Sequence, residues 1–119
     1  RPRSNTPLQA LVLLNDPSYV EAAQALAETI MRREDLTENR ISLGFMMALG
    51  RKPTAKESGL LTRLLNDQLE QFSQDTDSSK KAIKAGNRSP AADLDANTLA
   101  AWASVTRVLL NLHETITRY

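Results

Sequence analysis

Ser4-Asn5-Thr6-Pro7-Leu8-Gln9-Ala10-Leu11-Val12-Leu13-Leu14-Asn15-Asp16-Pro17 opens the chain with two proline-marked helix starts around an almost unbroken apolar run. Thr6 before Pro7 and Asp16 before Pro17 each place a side-chain oxygen at an N-cap position. The proline that follows stands at the first helical position, where its missing N–H leaves no bond unmade. Thr6 and Gln9 add a capping box. The stretch reads helix, turn, helix, with a first helix over 7–14 and a second over 17–33. Leu8, Leu11, Val12, Leu13 and Leu14 leave the first helix almost no polar side, so its surface needs cover from more than one neighbour.

Outward from this stretch the helical pattern continues. The second helix repeats Val20, Ala23, Leu26 or Ala27, and Ile30 at helical spacing and turns Glu21, Gln24 and Glu28 to solvent. A third, over 38–49, starts after Thr37 and stops at Gly50. It buries Ile41, Phe45, Ala48 and Leu49 along a stripe that Met46 and Met47 widen. Arg51-Lys52-Pro53-Thr54 turns the chain, and Thr54 with Glu57 forms a second capping box, its carboxylate also complementing the helix dipole. Leu60, Leu61, Leu64, Leu65, Leu69 and Phe72 then mark a fourth helix, the cleanest 3.6-residue stripe in the chain, reaching Ser73.

From Gln74 to Ala96 the composition turns to Ser, Asp, Lys, Gly, Asn and Pro. This predicts a long flexible loop over 74–96, with room for one short helix at 79–85 ended by Gly86. The last helix starts at Asp95 or Asn97 and runs to Leu110. Leu99, Trp102, Ala103, Thr106, Leu109 and Leu110 share one face, and Val105, Val108 and Leu112 make a second. A helix this apolar belongs at the centre of a bundle, with Trp102 buried against the stripe of the fourth helix. Asn111 to Glu114 ends or bends it.

Composition agrees. Of the 119 residues 41% are hydrophobic but only 4% aromatic, so the core is built from Leu, Ala, Ile, Val and Met, which suits packed helices better than a sandwich or barrel. No solenoid period repeats. The expected fold is all-α: one domain over 1–119, a compact bundle of about five helices with the long polar loop before the last. Fifteen basic and fourteen acidic residues leave a net charge of +1, no global field for nucleic acid or an anionic membrane. The absence of cysteine removes disulfides, thiolate nucleophiles and covalent c-type haem attachment. No apolar run approaches the ~20 residues that span a bilayer. Starting at Arg1 and not Met, the chain reads as the C-terminal piece of a longer protein.

Reactive constellations are sparse. His113 is the only histidine, too few for a three-ligand zinc site. It could pair with Met46 or Met47 as haem axial ligands, but no C-x-x-C-H holds a porphyrin and a methionine on such a stripe is more often core filler. Asp16, Glu34, Asp35, Glu57, Asp67, Glu70 and Glu114 are scattered over helix ends and polar faces, whereas a glycosidase pair must converge across a cleft. Lys80, Lys81, Lys84 and Arg88 form a basic cluster balanced by Asp75, Asp77 and Asp93 and not set on a recognition helix. Gly50-Arg51-Lys52-Pro53 lacks phosphate-loop spacing.

Taken together, Ser4 to Pro17, the turn Ala48-Leu49-Gly50-Arg51-Lys52-Pro53-Thr54 with Glu57, and Ala101-Trp102 with Val108-Leu109-Leu110-Asn111-Leu112 and Glu114 resemble the C-terminal part of a planctomycete-type domain of unknown function. The family pattern carries an acidic residue where this chain has His113. The resemblance implies a large exported multidomain protein with a cytochrome-c-like module upstream, and hence a periplasmic or extracytoplasmic location. Any c-type haem would lie upstream, with no cofactor, metal or catalytic residue in this chain. It implies no reaction. The expected function is a non-catalytic accessory or interaction module docked on the upstream domains of its own parent. The alternative is one wall of an active site in a haem-associated or polysaccharide-processing exported enzyme, with the catalytic residues mostly upstream. A polar functional patch, if the chain has one, would draw on Asn5, Asn15, Asn111, His113 and Glu114. The first helix is a candidate for self-association; nucleic acid and a membrane span are not expected.

Overall fold

A computed structural model describes residues 17–84 and 93–117. The helix expected over 7–14 lies outside the described residues, with Asn5, Asn15 and Arg88. Five helices follow: α1 Pro17–Arg33, α2 Thr37–Leu49, α3 Ala55–Gln74, α4 Thr76–Lys84 and α5 Ala96–Thr117. No strand occurs among the described residues, and the fold is an all-α bundle.

Local chemistry places the boundaries. Gly50 ends α2 at φ 76°, a left-handed position open to glycine at no steric cost, and its N–H bonds the Met46 carbonyl. The Thr54 hydroxyl accepts the Glu57 N–H at 3.1 Å while the Glu57 carboxylate accepts the Thr54 N–H at 2.8 Å, so the capping box is complete. Thr37, expected as the cap of α2, is its first residue instead. Leu36 takes the N-cap place without a side-chain bond. Arg40 accounts for the tight turn before it, donating to the carbonyls of Glu34 at 2.6 Å and Met31 at 3.1 Å and so tying the end of α1 to α2.

Two expectations about the C-terminal half are corrected. The short helix expected at 79–85 is present but starts earlier, as α4 Thr76–Lys84; α3 includes Gln74, and only Asp75 separates the two where a loop was expected. Asp75 accepts the Ser78 N–H at 3.1 Å as the cap of α4, and Ser79 and Ile83, one turn apart, are buried. The Ser79 hydroxyl donates to Asn97 Oδ1 at 2.7 Å. Among the described side chains of this helix these two turn inward, too few to register as a stripe. The last helix does not stop at Leu110 or break at Asn111; it continues to Thr117. Its start is set by Asp95, whose carboxylate accepts the Thr98 N–H and hydroxyl, both at 2.9 Å.

The α5 helix is the hub, packed against each of the other four. Trp102 is 1% exposed and belongs to a core cluster with Ile30, Ile41, Phe45, Leu61, Leu65, Leu99 and Leu109. The guanidinium of Arg40 lies 5.8 Å from its ring centroid. Helix directions follow from four contacts. Thr106 donates to the Ala23 carbonyl at 2.6 Å and Arg32 pairs with Asp93 at 2.8 Å, so α1 runs antiparallel to α5. Ser104 donates to Gln68 at 3.0 Å, and α3, whose far end leads into the α4 contact with Asn97, is antiparallel to α5 as well. The start of α1 and the start of α3 therefore lie toward the Leu112 end of α5, and Gly44 of α2 lies beside Leu109.

Candidate functional site

At that end the helices leave a groove of about 140 Å³ with Phe45 and Leu61 as floor, Leu60, Val108 and Leu112 as walls and Glu57 at the rim. Phe45 is fully buried and Leu61 nearly so, whereas Leu60 is 55% exposed, Val108 36% and Leu112 38%. Leu60 was expected on the buried stripe of α3. Adjacent positions lie 100° apart on a helix, and with Leu61 and Leu65 directed at α5 the side chain of Leu60 falls outside. Val108 and Leu112, one turn apart on α5, belong with Val105 to the second apolar face legible in the sequence; the bundle buries Val105 and leaves the other two partly open.

The rim is electrostatically closed. Arg51 donates to both carboxylate oxygens of Glu57 at 2.8 Å each and lies 5.0 Å from the centroid of Phe45. Those bonds, with the Thr54 N–H, hold the Glu57 carboxyl at a pKa of about 2. In sequence Arg51 read only as a cation following a helix end; its reach to Glu57 depends on the shape of the 50–54 turn. The result is an apolar groove whose charged rim residues, Glu57 and Arg51, pair with each other.

Of the polar patch proposed from sequence, only the Asn111 and His113 side chains are described. Asn111 is half-buried and His113 exposed, and two positions apart they project to opposite sides of α5. Glu114 shares the helix, its side chain outside the described set, as Asn5 and Asn15 are. Met46 and Met47, expected to widen the core stripe, are 43% and 46% exposed. Gln24 and Glu28, expected in solvent, are buried, with Gln24 Nε2 donating to Glu28 at 3.4 Å. Ala23 and Ala27 on the same helix and Ala103 on α5 are buried as well, so the buried side of α1 extends past its apolar stripe. Burial lowers the pKa of the half-enclosed Arg107 guanidinium.

Among the described residues no three His, Cys, Asp or Glu side chains gather as a metal site, and no helix is long and apolar enough to cross a membrane. A second, wide depression lies between the starts of α2 and α3, lined by Leu36, Ser58, Gly59 and Thr62. Among its described lining residues Glu38 is the one titratable group.

The architecture is thus that of an all-α bundle with an apolar groove at one end. Residues 1–65 match the PSD1 family, described as a protein of unknown function (DUF1553), and the chain belongs to that family. The matched residues take in Phe45, Glu57, Leu60 and Leu61 of the groove and end before α5. No curated protein and no solved structure matches the chain.

Proposed function

We propose that this chain is a non-catalytic accessory module of a large exported protein of planctomycete type, and that its groove takes an apolar helical segment of that protein's own polypeptide. The observation that supports the reading is the exposure of Leu60, Val108 and Leu112 around Phe45 and Leu61. Isolated surface aliphatic residues are ordinary, but two leucines and a valine from two helices around one apolar floor make a shaped site for an apolar helix face. Export, and a c-type haem carried upstream, rest on the family resemblance and are part of the same proposal.

A cysteine-specific label tests it in the intact parent protein. Leu60→Cys and Leu112→Cys variants should resist a maleimide in the native protein and react after unfolding, whereas Leu36→Cys, 59% exposed in the module, should label fast. Labelling of the two groove positions as fast as position 36 refutes the reading.

A further inference from the structure

Resting on that reading, we infer that the helix received by the groove is acidic at its flanks, with carboxylates on either side of its apolar face that pair with Lys56 and Arg63 of α3. The apolar floor sets what the groove buries; the charges beside it select what borders the buried face. On α3, Lys56 stands one turn before Leu60 and Arg63 one turn after it, on the same side of the helix. Both are exposed, and so is Lys52, in the turn that carries Arg51. The carboxylate at the rim, Glu57, is taken up by two guanidinium nitrogens of Arg51 and by the Thr54 N–H.

That leaves three cations beside the groove. Arg32 has Asp93 at 2.8 Å, but Lys52, Lys56 and Arg63 pair with no carboxylate among the described residues. The next carboxylate on the Leu60 side of α3 is Asp67, seven positions beyond Leu60 and so about 10 Å further along the axis. The chain as a whole carries a net charge of only +1, so the excess is local to this edge. A segment with lysine or arginine beside its apolar anchors would bring like charges together on seating, whereas aspartate or glutamate there gains ion pairs. Spacing is set as well. Lys56 and Arg63 are seven positions apart, about 10 Å, so a helix lying along α3 meets both with two carboxylates about two turns apart. The side chains between them, at i, i+3 and i+4 spacing, supply the anchors for Phe45 and Leu61.

Two synthetic helical peptides of about four turns test the inference. They share one leucine face and differ only in the flanking residues, glutamate in one and lysine in the other. Binding to the 119-residue chain is read by fluorescence anisotropy. The glutamate peptide should bind about tenfold more tightly at low salt, and the gap should close in about 1 M NaCl, where charges are screened beyond about 3 Å. Lys56→Glu combined with Arg63→Glu should reverse the preference, and Leu112→Ser should weaken both peptides, with circular dichroism confirming that each variant keeps its helix content. Equal affinities, a preference for lysine, a preference unchanged by the double reversal, or no binding of either peptide overturns the inference. Self-association of the chain that Leu112→Ser abolishes assigns the groove to a second copy. Binding to phosphatidylcholine vesicles containing phosphatidylglycerol, lost in the same variant, assigns it to an anionic membrane. Either result overturns the inference too. Labelling at positions 60 and 112 of the parent protein decides separately whether the groove is a docking site at all.

Discussion

Replacing Thr106 tests the α1–α5 contact on which the bundle is built. Its side chain is fully buried, and its hydroxyl donates to Ala23 across the interface at 2.6 Å and lies 3.0 Å from the Ala103 carbonyl of its own helix. Thr106→Val keeps the branched shape but puts a methyl where the hydroxyl was, and carbon meets a carbonyl oxygen comfortably only at about 3.3–3.6 Å. The two helices must therefore part by several tenths of an ångström where Ala23, Ala27 and Ala103 are packed with almost no exposed surface. The lost hydrogen bond costs about 0.5–1.5 kcal/mol net, and forcing the interface apart about 1–3 kcal/mol more. Thr106→Ser keeps the donor and removes one buried methyl, about 0.8 kcal/mol. For a domain of this size a kilocalorie per mole moves the melting temperature by roughly 4 °C. The valine variant should accordingly melt about 6–18 °C below wild type and the serine variant about 3 °C below it, read by circular dichroism with urea unfolding as a check. A valine variant as stable as the serine variant, or more so, would show that the hydroxyl does not organise this interface.

Two further outcomes follow from the turns at the groove end. Glu57 is held at about 2 by Arg51 and Thr54, below its unfolded value, so the stabilisation it gives is complete above the ordinary carboxylate range and disappears as the pH falls through about 2. Glu57→Gln should melt below wild type at neutral pH, with the two melting curves converging between about pH 4.5 and 2; an offset constant with pH would remove the ion pair from the account. The glycines should respond with opposite signs. Gly50→Ala, at φ 76°, should lose about 1–2 kcal/mol. Gly59→Ala, inside α3 with open space around a new Cβ, should gain about 0.5–1 kcal/mol, and urea unfolding that ranks the two the other way would contradict their backbone assignments.

The sequence by itself determined the all-α class, the limits of α1 to within a residue, the glycine stop at Gly50, the Thr54–Glu57 capping box and the place of Trp102 in the core. Each rests on residues within about a turn of one another or on a repeat at the helical period, so the chain carries the information locally. Tertiary structure alone decided which part of each apolar face is enclosed. Leu60 and Leu61 are neighbours of the same hydrophobicity, yet one walls an open groove and the other floors it. Gln24 and Glu28 are buried while Met46 and Met47 are exposed, the reverse of what residue type suggests. The groove itself was half legible, since Val108 and Leu112 stood out as a second apolar face, but its closure by Phe45 and the Arg51–Glu57 pair was not. Such choices depend on how closely α1, α2 and α3 dock on α5, set by side chains such as Thr106 and Ala23 that lie 83 positions apart, and no pattern of local period encodes that separation.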